Sequence, residues 1–401
     1  MILREIFFEL IRVALGTQDA LTAVPSADEW RGMFDLARKQ TLIGVCFTGV
    51  ERLPETQRPP KELILQWWAM TRKIEERNCV MDERTEEATR FFRAHGFRTA
   101  ILKGQGIAAL YERKEEKRKE KSEEVGDLRL RRQSGDIDIW VVPETDVQGV
   151  RVEKNEKRKE KKGNAREVIY QFARENDPEG KLHGVNYHHV HYHLFGDAEV
   201  EAHIYPGYLH NPLSNKRLHR FFETHSPTES ETPSKAFNLV YILLHIYNHL
   251  LGHGVGLRQV MDYYFVLKTQ VGRCMMEDGR CEAGASVEEY DDARKWIERL
   301  GMMRVAGATM WVMQEVFGLE REYMLVEPDP KEGRFLLEEI CQTGNMGHYD
   351  QRHWGSLQNP TSRFFYNLRR DWHLISHYPQ EVCWQPLFSI WLNIRRFFWT
   401  R

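Results

Sequence analysis

Two aspartates alternate with isoleucines in the stretch Gly135-Asp136-Ile137-Asp138-Ile139-Trp140-Val141-Val142. On a β-strand, residues two apart point to the same face. Asp136 and Asp138 therefore share a face, and Ile137 and Ile139 point the other way, into a core. Two carboxylates about 6–7 Å apart on a rigid strand repel each other unless a cation sits between them. Oxygen-only ligands of this kind suit Mg²⁺ or Mn²⁺. The spacing alone also fits a strand that begins with two solvated acids.

The flanking residues add the rest of a site. Arg98 to Leu102 reads as a strand, Lys103-Gly104-Gln105-Gly106 as a glycine turn, and Ile107 to Tyr111 as the start of a helix. Backbone N–H groups at such a turn can approach a phosphate, and Lys103 adds charge at its mouth. Glu199 to Ile204 reads as a third short strand with Glu201 and His203 on one face. A phosphate-binding turn, paired aspartates and a later carboxylate are the parts of a two-metal phosphoryl-transfer site.

These residues together resemble the nucleotidyltransferase superfamily, the polymerase-beta-like fold. More closely, Leu102-Lys103-Gly104 with Ala108 and Tyr111, then Arg132, Gly135, Asp136 and Asp138, then Val200-Glu201 and His203, resemble a group of uncharacterised bacterial nucleotidyltransferases. Gly256-Leu257-Arg258 and Asp262 extend the likeness. The resemblance implies metal-dependent transfer of a nucleoside monophosphate from a triphosphate to an acceptor hydroxyl, with loss of pyrophosphate. It implies that Asp136, Asp138 and Glu201 are catalytic and hold Mg²⁺ (or Mn²⁺), and that Lys103, Gly104, Gln105, Arg132 and Gly135 bind the nucleotide. His203, His245, His249, Arg258 and Asp262 are then expected at the acceptor. Gln105 stands where the superfamily usually has serine, and Lys103 before it could supply a charge in place of that serine's phosphate contact. A nucleotide- or partner-binding protein without catalysis, on the same fold, is the alternative of a different class.

Other clusters have rival readings. His189, His191 and His193 share a face if Tyr187 to His193 is a strand, and alternating histidines can bind Zn²⁺ with Glu201 or His203. That would make a zinc hydrolase of the chain. Histidines two apart on a strand, however, need a third element to converge on one ion. His245 and His249 share a helical face, as do Arg258 and Asp262. There is no glutamate at position 246, so the helical zinc-protease pattern is absent. An intrahelical ion pair accounts for Arg258 and Asp262 as well as an anion site does. Arg132 suits a phosphate or a salt bridge to Asp136.

The 401-residue chain carries a net charge of −2, so no global field draws nucleic acid or membrane. Six cysteines form no C-x-x-C pair, which points to free thiols in a reducing compartment. Glu5 and Glu9 inside the first apolar run argue against a signal peptide. A cytoplasmic protein without membrane insertion is expected. Its partners would be a nucleoside triphosphate and an acceptor (small molecule, sugar phosphate, RNA or protein) that the residues do not name.

The elements that must position these groups follow from periodicity. Residues 1–95 read as helices, with Trp67, Trp68, Met70, Cys79, Phe91 and Phe92 as packing positions. Residues 96–225 carry the strands and the acids. Charged insertions near 112–131 and 151–163 share Glu-Lys-Arg-Lys-Glu-Lys; they read as solvated surface segments. Residues 226–401 are helical again, over 235–251, 257–268, 287–317, 333–343 and 386–398, with a polar loop near 273–286. The aromatic tail around Trp391 and Phe398 is expected to dock on its own domain rather than on a membrane. The expected class is α+β: a small mixed sheet flanked by helical regions.

Overall fold

A computed structural model describes residues 3–111, 126–144, 165–176, 186–227, 233–271, 286–350, 352 and 360–399. Helices α1 (Leu3–Leu15), α2 (Ala27–Lys39), α3 (Ile43–Arg52) and the long α4 (Lys61–Ala94) lead into β1 (Phe97–Ile101). Short helices α5 (Gln105–Ala108) and α6 (Leu128–Arg131) precede β2 (Ile137–Pro143). Then come α7 (Ala165–Glu175), β3 (His189–Tyr192) and β4 (Val200–His203). The rest is helical: α8 (Pro212–Thr224), α9 (Lys235–Leu251), α10 (Leu257–Gln270), α11 (Val287–Arg299), α12 (Met303–Phe317), α13 (Pro330–Thr343), α14 (Pro360–Leu374), α15 (Pro379–Val382) and α16 (Gln385–Trp399). The α+β class is observed.

The four strands lie in the order β1-β2-β4-β3, and the β2–β4 pair is parallel while the outer pairs are antiparallel. Alternation sorts the two faces. Ile137, Ile139, Val141, Val190, Val200 and Ala202 bury one face against Phe92 of α4 and Ile169 and Phe172 of α7. The other face carries the acids and histidines and lies under α9, where Phe237 stacks on Trp140 with ring centroids 5.4 Å apart. A larger core joins α1–α3 to α9–α13. Hydrogen bonds tie the two ends of the chain: the Arg12 guanidinium donates to the Glu315 carbonyl, and the Gln40 amide to the Ile340 carbonyl.

Four departures from the sequence reading have local causes. The 287–317 stretch is two helices, because Gly301 takes φ +75° between them. Trp67 is buried and its indole N–H donates to the Ile43 carbonyl, whereas Trp68 and Cys79 are exposed; successive residues on a helix face about 100° apart. A helix at α7 was not expected so close to a charged segment. It forms because Ile169, Phe172 and Ala173 cover the sheet. Helix α6 falls inside the first expected insertion yet is anchored, with the buried Arg131 guanidinium bridging Glu51 and Glu75. The remainder of both insertions, and residues 272–285, lie outside the described residues. Helix α16 docks through Phe388 and Trp391, each 5.5 Å from the Tyr187 ring, while Leu387, Ile390 and Ile394 stay exposed. No described helix is long and apolar enough to cross a membrane.

Candidate active site

The glycine turn after β1 sets the first group. The Leu102 amide donates to the Asp138 carbonyl at 2.9 Å, which registers the end of β1 on the acid strand. Gly104 then takes φ +61° and ψ −115°, a region that L side chains rarely adopt. The reversal leaves the Lys103 ammonium 3.1 Å from Asp138 Oδ1. The helix that follows is only four residues long. Gln105 turns away from the site and donates to Asp82 of α4.

Register supplies the remainder. Asp138 faces Glu201 across the parallel pair, and Glu201 faces His191 across the antiparallel pair. One step along, Trp140 faces His203, and His203 faces His189. The two rows share one face of the sheet. His203 Nε2 lies 2.9 Å from Asp138 Oδ1 and 3.3 Å from Glu201 Oε2. Asp138, Glu201 and His203 bring ligand atoms within 4.8 Å of one another. Two carboxylate oxygens and an imidazole nitrogen fit a divalent cation by donor chemistry.

The electrostatics are those of a paired cluster. Burial opposes ionisation of Asp138, but the Lys103 charge and the His203 hydrogen bond hold its carboxyl well below the usual range. Glu201 is likewise buried yet lowered by the His203 hydrogen bond. Burial works against protonated His203, and its two carboxylate partners outweigh that and raise it. Burial pushes His189 down to about 3 and His188 well below the ordinary value.

Asp136 sits one residue before β2. It is exposed by area, with enough protein around it to desolvate the carboxyl, and that desolvation plus the Asp138 and Glu201 charges raise its pKa. It is not part of the tight ligand group. Together with Glu199 and His193 it lines a cleft of about 890 Å³. Lys73 and Arg77 of α4 and Tyr349 form other parts of the wall. That volume is in the range of small-molecule clefts.

The other expected residues fall into two groups. His245 and His249 lie on α9 with rings 4.4 Å apart, and burial together with the Lys103 charge lowers both, His249 to about 3. They belong to the roof of the site. Arg132 and Asp262 are instead a buried pair, with guanidinium nitrogens 2.6 and 2.7 Å from the two carboxylate oxygens. Tyr111 donates to the same Asp262 at 2.7 Å. Arg258 does not pair within its helix: it donates to the Gln133 carbonyl at 2.9 Å. An added Cβ at Gly135 would sit 3.7 Å from that guanidinium. These residues lock the loop before β2 to α10. The cleft residues Lys73, Arg77 and Tyr349 escaped the sequence reading. The i, i+4 basic pair on α4 was the only local signal for them.

Residues 26–118 match the family model described as an uncharacterised nucleotidyltransferase. The match takes in α2–α4, β1 and the Lys103-Gly104 turn, stops before Asp136, and supports a nucleotidyltransferase family. No curated protein and no solved structure gives a significant match.

Proposed function

We propose that this chain, which carries a nucleotidyltransferase family domain, is a metal-dependent enzyme that moves a nucleoside monophosphate from a triphosphate to an acceptor hydroxyl. One observation carries the reading. Asp138 and Glu201 are held opposite each other on one sheet face, with Lys103 on Asp138 and, two residues before it, Asp136 lining the cleft.

A divalent cation held by Asp138 and Glu201, with Asp136 at the mouth, would neutralise the triphosphate and lower the pKa of the acceptor hydroxyl. The chain's own residues do the rest by position and charge. Lys103, a flexible point charge, neutralises Asp138 and reaches the incoming phosphates. His203 Nε2 donates to Asp138 at 2.9 Å and lies 3.3 Å from Glu201, which favours the ionised form of both carboxylates. The acceptor oxygen bonds to the α-phosphorus as the α–β bridge breaks and pyrophosphate leaves. Glu201, ionised and beside the reacting centre, takes the hydroxyl proton.

The engagement of Gln105 with Asp82 favours a second reading, nucleotide binding without transfer. Pyrophosphate release from a nucleoside triphosphate with Mg²⁺ and cell lysate separates the two. Release by wild type and not by Asp138→Asn supports transfer. Nucleotide binding with no release supports the second reading.

A further inference from the structure

The histidines of β3 are not used by the reaction above, yet they converge. His189 and His191 point to the acid face because they are two apart on a strand. The antiparallel register puts His191 opposite Glu201 and His189 opposite His203. Glu201, from a different strand, is the third element that two alternating histidines need. His189 Nε2 and His191 Nε2 are 3.3 Å apart, and His191 Nε2 is 3.9 Å from Glu201 Oε1. All three residues bring a ligand atom within 4.8 Å of the others. Ligands at about 2.0–2.1 Å from a tetrahedral ion are about 3.4 Å from one another; the two histidine nitrogens already stand at that separation, and Glu201 needs to close by about half an ångström to join them.

Hydrogen bonding alone accounts poorly for the arrangement. A ring nitrogen offers one hydrogen or one lone pair. His189 Nε2 faces both the Asn186 amide nitrogen at 2.6 Å and His191 Nε2 at 3.3 Å. The other ring nitrogen, His189 Nδ1, lies 3.1 Å from His188 Nε2. That contact fixes the ring's orientation through its second nitrogen, with the neutral His188 imidazole in the place more often taken by a carboxylate or carbonyl. The His191 side chain is 31% exposed, so an ion and a water can reach the open side.

We propose that His189, His191 and Glu201 form a binding site for a transition-metal ion of the Zn²⁺ class, next to Asp138 and sharing Glu201 with it. Imidazole nitrogen prefers such ions over Mg²⁺, whose ligands are oxygens. Glu201 spans the two positions: Oε1 faces His191, and Oε2 faces His203 at 3.3 Å and His189 Nδ1 at 3.4 Å.

The test is Co²⁺ titration of tag-free, chelator-stripped protein without nucleotide, read by visible absorption, followed by competition with Zn²⁺ and with excess Mg²⁺. Wild type is expected to bind one equivalent with the intense bands of a tetrahedral site, displaced by Zn²⁺ and not by Mg²⁺. His191→Ala is expected to weaken binding at least about 100-fold, with an unchanged circular dichroism spectrum because His191 is on an edge strand. Asp136→Asn is expected to bind as wild type does. Absence of Co²⁺ binding by folded wild type, or equal affinity in His191→Ala, overturns the proposal. The readout needs no activity, so failure of the nucleotidyl-transfer reading leaves this result interpretable.

Discussion

Asp138 and Glu201 are direct partners across the parallel β2–β4 pair, and a single imidazole, His203 Nε2, lies within 3.3 Å of both carboxylates. On the proposed function, that relationship separates groups that would meet a substrate from groups that hold the loop before β2 in place.

Arg132 and Asp262 belong to the second kind. Their fork is buried and shared with the Tyr111 hydroxyl. Removing one partner leaves an unpaired buried charge, which costs about 3–5 kcal/mol. Asp262→Ala is therefore expected to lower the thermal midpoint sharply. Denaturant unfolding checks it; a loss of under about 1 kcal/mol would mean the pair is not structural.

Gly104 sets the turn that aims Lys103. Its φ of +61° with ψ of −115° is a conformation that costs a side chain about 1–3 kcal/mol. Gly104→Ala should destabilise by that amount in urea unfolding, although an added Cβ meets only the Asp136 carbonyl oxygen at 3.5 Å. A neutral effect would show that the strain is absent.

How far the site could be read in advance follows from the kind of information each part needs. Asp136-x-Asp138, Glu201-x-His203 and His189-x-His191 were legible because a period of two fixes a face without knowledge of the partner strand. Which rows meet was not legible. The register that sets His191, Glu201 and Asp138 in one line comes from pairing over long separations. The Arg132–Asp262 fork joins residues 130 apart, so local spacing suggested Arg258 as the partner instead. The helices over 235–251 and 257–268 were legible from apolar period alone, whereas α7 was hidden because its apolar face is short and follows a charged run.

Glu381 gives a stability that depends on pH. Burial raises its carboxyl to about 7 from an ordinary 4.5, although the backbone amides of His210 and Asn211 donate to it. A carboxyl raised by the fold favours the fold while protonated. Its contribution is fully present below the unfolded value and is lost as pH rises through about 7, a change on the order of 3 kcal/mol. Wild type should lose stability relative to Glu381→Gln as pH rises from about 4.5 to about 7, the span of the two values. Parallel melting curves across that range would argue against it.

Lys103→Met removes the charge beside Asp138 while keeping most of the side-chain volume. The Asp138 carboxyl should then rise toward the ordinary range, because the Lys103 charge is the largest of the effects that lower it. Transfer is expected to fall by about 100-fold or more, in line with loss of one preorganised charge. A single-turnover assay checks this, and unchanged rates would remove Lys103 from the mechanism.

The most direct test of the central claim is label transfer from each α-³²P nucleoside triphosphate, with Mg²⁺ or Mn²⁺ and fractions of cell lysate as acceptors, by wild type and by Asp138→Asn of matching circular dichroism. The account predicts label on a lysate component with wild type and none with the variant. Equal labelling by both proteins, or no label from any nucleotide with folded wild type, would contradict it.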